Sequence, residues 1–270
     1  MKNIIHETFE NDWLSNWTGK AHNAYTTTSS HDGQSGLRIL FRRGSHYGSD
    51  LRQDIKPTRH IKMSYWVRVA SNWDSNSTGK FVGFADLRWK DDKGRSYAHG
   101  NRKPVKDGFS FRTWFGKTKN GELPLGMYIY HAGQKKAWGD SIKIGSIKAG
   151  HSHVFFQIEA DLDAGFVKGR LDNGAWTQHD ISVGDETAIT LAWLDGYYGG
   201  WMKSPFNMAI DIDSYRLDDM SAPEPLPEPS SEPAASARPN PIENVRDNPG
   251  DELISSRLRK LADEVESLEQ

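Results

Sequence analysis

Three short stretches hold side chains able to bind an anion and move a proton: Gly79-Lys80-Phe81, Gly108-Phe109-Ser110-Phe111-Arg112-Thr113-Trp114 and Met127-Tyr128-Ile129-Tyr130-His131. Successive side chains in a strand point to opposite faces. Ser110 and Arg112 should then share one face, with Phe109 and Phe111 on the other. Tyr128 and Tyr130 likewise share a face, with Met127 and Ile129 behind them. A groove over those polar faces would gather a lysine, an arginine, a serine and two phenols. Lys80 offers a point charge. Arg112 offers a planar fork that suits a carboxylate, from a ligand or from a neighbouring Asp or Glu. A phenol titrates near ~10, so it becomes a base at neutral pH only where positive charge favours the phenolate. His99 and His131 are alternative bases whose ordinary range is closer to neutrality. Tyr197, Tyr198 and Trp201, around Gly199-Gly200, supply rings that could line a sugar subsite.

Strands must carry these groups. The clearest candidates are 35–41, 60–69, 80–89, 109–114, 126–131, 153–160, 188–193 and 206–217. In the second, Met63, Tyr65, Val67 and Val69 alternate with Lys62, Ser64, Trp66 and Arg68. Asp91-Asp92-Lys93-Gly94, Lys119-Asn120-Gly121 and Leu171-Asp172-Asn173-Gly174 read as turns between them. No strand–helix–strand rhythm is present. The pattern predicts an all-β domain over 1–217, built as a β-jelly roll or a two-sheet antiparallel sandwich.

Beyond it, an acidic Pro-rich linker is expected over 218–250, with seven prolines in the 21 positions 221–241. A short amphipathic C-terminal helix is expected over 251–270. Its seam, Ile254, Leu258, Leu261, Val265 and Leu268, has the 4-3-4-3 spacing of a heptad repeat. That seam could pack on the body or close a homo-oligomeric coiled coil.

The net charge of -2 hides an asymmetry. Residues 218–270 hold thirteen Asp or Glu against five Arg or Lys, a charge of -8, which leaves +6 on 1–217. A basic body suits a polyanion. No nucleic-acid motif accompanies the charge, so nucleic acid is not the expected partner. With no cysteine, disulfides, thiolate metal sites and thiol catalysis are excluded. No His or carboxylate cluster calls for a metal, and no cofactor is expected. No segment approaches the ~20 apolar residues of a membrane span. The first residues hold no apolar run of signal-peptide length, so the localisation is left open between cytoplasm, a virion and non-classical export.

Taken in order, the motifs resemble polysaccharide lyase family 14, the alginate and polyuronate lyases with a β-jelly-roll fold. The glycine–lysine strand entry is similar to Gly79-Lys80-Phe81-Val82-Gly83-Phe84. The serine-x-arginine strand ending in tryptophan is similar to Ser110-Phe111-Arg112-Thr113-Trp114, and the tyrosine-x-tyrosine strand to Tyr128-Ile129-Tyr130. Val154–Ile158, Asp172-Asn173-Gly174 and Leu194–Gly200 extend the resemblance, which covers roughly 35–217. The chain departs from the pattern at Val82, where the family has proline, and in a polar insert between Lys80 and Ser110.

The resemblance implies that Lys80, Ser110, Arg112, Tyr128 and Tyr130 fall on functional positions and that the substrate is an acidic polysaccharide. A uronate polymer linked through O4 can be broken by β-elimination. Lys80 and Arg112 would neutralise the C6 carboxylate. Tyr130 or Tyr128 would remove H5 and protonate O4. Ser110, His99, His131, Tyr197, Tyr198 and Trp201 would bind substrate. The competing expectation is a non-catalytic glycan-binding or virion-associated module using the same groove.

Overall fold

The computed structural model describes residues 1–100, 102–199 and 202–221. The strands alternate buried and exposed side chains wherever one face meets the core. In His60–Val69, Ile61, Met63, Tyr65, Val67 and Val69 are buried and the residues between them are not. That alternation fixes register, because a slip by one residue would turn every apolar side chain outward.

Fifteen strands are present among the described residues: β1 (Lys2–Glu7), β2 (Thr18–Lys20), β3 (Ala24–Thr27), β4 (Gly36–Phe41), β5 (Tyr47–Thr58), β6 (His60–Val69), β7 (Gly79–Asp86), β8 (Phe109–Phe115), β9 (Glu122–Tyr130), β10 (Asp140–Lys148), β11 (Val154–Asp161), β12 (Phe166–Leu171), β13 (Thr177–Asp180), β14 (Ile189–Tyr198) and β15 (Met208–Asp219). They form two antiparallel sheets. One has the order β13-β12-β11-β6-β15-β4-β3, with β1 also paired to β15; the other runs β10-β9-β8-β7-β14-β5-β2. The result is an all-β, two-sheet sandwich of jelly-roll type.

The core lies between the sheets. Phe109, Phe111 and Phe115 of β8 and Leu123, Leu125, Met127 and Ile129 of β9 point into it. Their neighbours in sequence face the other way, and this is what places Ser110, Arg112, Tyr128 and Tyr130 on the outer face of the second sheet. The connection from β8 to β9, residues 116–121, ends in a two-residue turn closed by the Lys119–Glu122 bridge. Asn120 (φ 52°) and Gly121 (φ 74°) both take left-handed conformations, as the Asn-Gly pair predicts.

Several boundaries differ from expectation: β9 begins at Glu122 rather than 126, and β14 runs on to Tyr198 rather than 193. β7 ends at Asp86 rather than 89. The Asp86 carboxylate accepts hydrogen bonds from the backbone N–H of Arg88 and Ala188 and from Trp89 Nε1, which turns the chain out of the sheet. β15 continues through Asp219, paired to both β1 and β6. The linker beyond Ser221 and the amphipathic helix over 251–270 lie outside the described residues. Among the described residues no helix is long and apolar enough to cross a membrane.

Candidate active site

The groove begins with an irregularity in β7. Lys80 pairs with Trp114 and Gly83 with Arg112, so Phe81 and Val82 together span the single residue Thr113. This bulge sends both Phe81 and Val82 into the core. Lys80 and Gly83 stay on the side of Arg112. Gly83 has to be glycine for a steric reason: a Cβ there would lie 2.1 Å from the Phe111 carbonyl oxygen and 2.7 Å from Arg112 Cγ. Gly83→Ala should therefore cost roughly 1–3 kcal/mol by overpacking. A urea midpoint indistinguishable from wild type would show that the strand absorbs the methyl group.

β14 supplies the facing wall. Trp193, Asp195 and Tyr197 share one face at i, i+2 and i+4, while Leu194 and Tyr198 enter the core. β5 answers each of them across the ladder: Arg52 pairs with Trp193, Asp50 with Asp195 and Tyr47 with Tyr197. His99 and Gly100, from the segment between β7 and β8, complete the lining. With Lys80, Arg112 and Tyr130 these residues enclose about 410 Å³.

The electrostatics of this cavity are tightly coupled. Arg112 is only 5% exposed, and its guanidinium donates to Asp195 Oδ2 at 2.7 Å; Asp195 is 2% exposed. Arg112 also lies 4.7 Å from the Trp193 ring. Its Nε–H is buried and has no acceptor within the protein. Burial pushes the Asp195 carboxyl up, and the adjoining guanidinium opposes that rise. On the next strand Asp50 accepts from Arg52 and from Trp193 Nε1 at 2.9 Å.

Lys80 lies close to both tyrosine walls, with Nζ 4.0 Å from the Tyr128 ring centroid and 5.6 Å from that of Tyr197. Burial, reinforced by the positive charge of Arg112 and opposed by Asp195, lowers its pKa to about 7. His99 stacks on Trp193 at 6.1 Å. Burial and the surrounding cations, Arg112 first among them, lower it to about 4, so it is neutral at physiological pH.

Tyr128 and Tyr130 are joined hydroxyl to hydroxyl at 3.3 Å, and Gly139 N–H donates to the Tyr128 oxygen at 3.1 Å. Burial raises Tyr128 well above the ordinary phenol range. The phenol therefore keeps its proton.

The other expected residues are placed differently. Ser110 is buried beside the groove, but its hydroxyl donates to the Ala98 carbonyl at 2.6 Å and so ties down the segment that carries His99. Tyr198 is in the core, donating to Asn76 Oδ1 and packing near Phe41 and Phe115. Trp201 lies outside the described residues.

His131 belongs to a second pocket, where its Nε2 lies 3.0 Å from Asp140 Oδ2, and His179 Nε2 lies 3.1 Å from the same oxygen. This trio is the one group among the described residues spaced closely enough to suggest a metal. The hydrogen bonding argues against that use. Ser182 N–H donates to His131 Nδ1 at 3.0 Å, so neutral His131 carries its hydrogen on Nε2, the atom a metal would need.

Sequence reading missed Asp195, Asp50, Arg52, Trp193 and Tyr47. The i, i+2, i+4 spacing of Trp193, Asp195 and Tyr197 was a usable signal. Nothing local in sequence points to the β5 residues, which reach the site only through cross-strand pairing.

No protein-family model matches the chain, and no curated protein matches it significantly. Solved structures do match in fold. A variant of the alginate lyase Aly36B in complex with an alginate tetrasaccharide superposes with TM-score 0.61 at 16% identity, over 80% of this chain and 96% of that one. Alginate lyase vAL-1 from Chlorella virus gives TM-score 0.59 at 17% identity, over 80% of this chain and all (100%) of that one. Aly36B itself gives 0.56 at 16% identity, over 82% and 93%. At these identities the likeness is one of fold: the chain has the β-sandwich architecture of alginate lyases.

Proposed function

We propose that the chain is a polyuronate lyase that cleaves an anionic polysaccharide by β-elimination. The observation that carries this reading is Lys80: a half-buried lysine whose amine is brought near neutrality, beside a buried arginine with an unused N–H and against the ring of Tyr128. Arg112 Nε and Arg52 would meet the C6 carboxylate and stabilise the charge that spreads onto it as H5 leaves. The neutral Lys80 amine takes the proton from C5. A C4=C5 double bond forms as the C4–O4 bond breaks, and the Tyr128–Tyr130 pair delivers a proton to O4. Lysine then holds an extra proton and a tyrosine lacks one. Return of that proton to the tyrosine, directly or through solvent, resets both groups.

This reading moves the base from the tyrosines to Lys80. Burial opposes the phenolate at Tyr128, whereas the same burial favours the neutral amine. Asp195 positions Arg112 through the 2.7 Å ion pair. Tyr47 and Tyr197, 5.2 Å apart, would provide a ring-stacking wall at the Lys80 end. Neutral His99 would donate or accept a hydrogen bond at a sugar hydroxyl.

The test is an absorbance assay near ~235 nm for the unsaturated product of elimination, run with alginate, glucuronan and related uronans. The expected result is product from at least one polymer. Silence across the whole panel would sink the lyase reading. Saturable binding without product would leave a glycan-binding module in its place.

A further inference from the structure

We propose that the segment joining β9 to β10, residues 131–139, forms a second uronate-binding subsite that holds the sugar fragment departing from the cleaved bond; its assignment to the departing fragment rests on the lyase reading above. The loop is organised from within. Gln134 Oε1 accepts the His131 N–H at 2.9 Å, Gln134 Nε2 donates to the Lys136 carbonyl at 2.8 Å, and Gly133 N–H donates to the Ser182 carbonyl at 3.3 Å. Gly139 N–H is taken by the Tyr128 hydroxyl. The groups left facing outward are the ammonium groups of Lys135 and Lys136 and the indole of Trp138, which is 55% exposed.

These three side chains, with Asp140 and His179, line a pocket of about 590 Å³. An exposed indole beside two cations matches a uronate ring, which has an apolar C–H face and one carboxylate. The two carboxylates lining the pocket each hold a side-chain partner. Asp140 Oδ2 meets both imidazoles, and Asp180 accepts from Gln178 Nε2 at 3.1 Å.

The position of the pocket decides which sugar it would hold. Tyr130 lines the reaction cavity and Gly139 lines this one, and a hydrogen-bond chain from Gly139 N–H through the Tyr128 hydroxyl to the Tyr130 hydroxyl links the two. During elimination the tyrosine proton goes to O4 as it leaves. The sugar bearing that oxygen is therefore the one beside the tyrosines, on the side of Trp138.

The experiment is calorimetric titration of Lys80→Met protein, whose turnover should be slowed at least about 10²-fold, with hexamers from alginate and from glucuronan and with cellohexaose as a neutral control. Adding Trp138→Ala should weaken binding of a uronate hexamer about tenfold, and Trp138→Phe should retain most of the affinity. Adding Lys135→Ala and Lys136→Ala should weaken it and flatten its dependence on salt. Hexamer affinities within about twofold of the parent, equal affinity for cellohexaose, or no hexamer binding at all would each overturn the proposal. If wild type makes no unsaturated product yet hexamer binding still depends on Trp138, the lyase reading falls and the uronate subsite stands.

Discussion

Lys80→Met should lower kcat/KM on the responsive uronan by about 10²- to 10⁴-fold, the range expected when a general base is removed, without lowering the thermal midpoint. The two halves of this expectation have one cause. The fold disfavours the charged form of Lys80, because burial strips its hydration and Arg112 repels it. Removing the amine therefore removes a destabilising charge together with the base. The pH profile gives the independent check. A base must be unprotonated to work, and the pKa of Lys80 is lowered to about 7. The kcat/KM profile reports the free enzyme, so it should fall about tenfold per pH unit below that point and level off above it. In Lys80→Met that limb should vanish from the residual activity. A wild-type limb near 4 would instead match His99, and retention of most of the activity by Lys80→Met would remove lysine from the chemistry.

How much of this was legible in sequence follows from which interactions are local. Alternation in 109–114 and 126–131 separates Phe109, Phe111, Met127 and Ile129 from Ser110, Arg112, Tyr128 and Tyr130, because one face of each strand must be apolar. The same rule, carried one strand further, would have divided Tyr197 from Tyr198. Reading them together as a wall treats as a turn what is the end of β14. Adjacent residues there face opposite sides, and Tyr198 goes to the core.

The rest depended on partners far away in the chain. Ser110 has the right type and face, but Ala98 of the preceding segment already accepts its hydroxyl hydrogen. His131 follows Tyr130 directly, yet Asp140 and Ser182 draw it away into the neighbouring pocket. The bulge at Phe81-Val82 leaves only a weak trace in sequence, two apolar residues in succession where alternation predicts one. β5 escaped notice altogether. Its polar residues Asp50 and Arg52 face the groove, and Lys56 and Pro57 break its apolar pattern.

Asp195 carries the second large expectation, because among the described residues it is the carboxylate paired with the buried Arg112 guanidinium. Asp195→Ala should destabilise the domain by about 3–5 kcal/mol, the usual cost of leaving one partner of a buried pair uncompensated. Arg112→Met should relieve much of that cost, so the double variant should lose less than the two single losses added together. Asp195→Asn keeps an acceptor near Arg112 while removing the charge, and this variant separates support of the fold from control of the base. The charged groups and the imidazole that line the cavity with Lys80 are Arg112 on β8, Asp195 on β14, Asp50 and Arg52 on β5, and His99 from the segment between β7 and β8. Among the charges acting on Lys80, Asp195 favours its protonated form and Arg112 disfavours it. Removing the Asp195 charge should lower the Lys80 pKa further and carry the acid limb of kcat/KM to a pH below its wild-type position near 7. Urea midpoints for the four proteins of the Asp195/Arg112 cycle, with the pH–rate profile of Asp195→Asn, measure both effects. Additive stability losses with an unmoved limb would leave Asp195 as a bystander. A limb displaced toward acid would identify it as the residue that sets the working charge of Lys80 through the same cavity in which it holds Arg112.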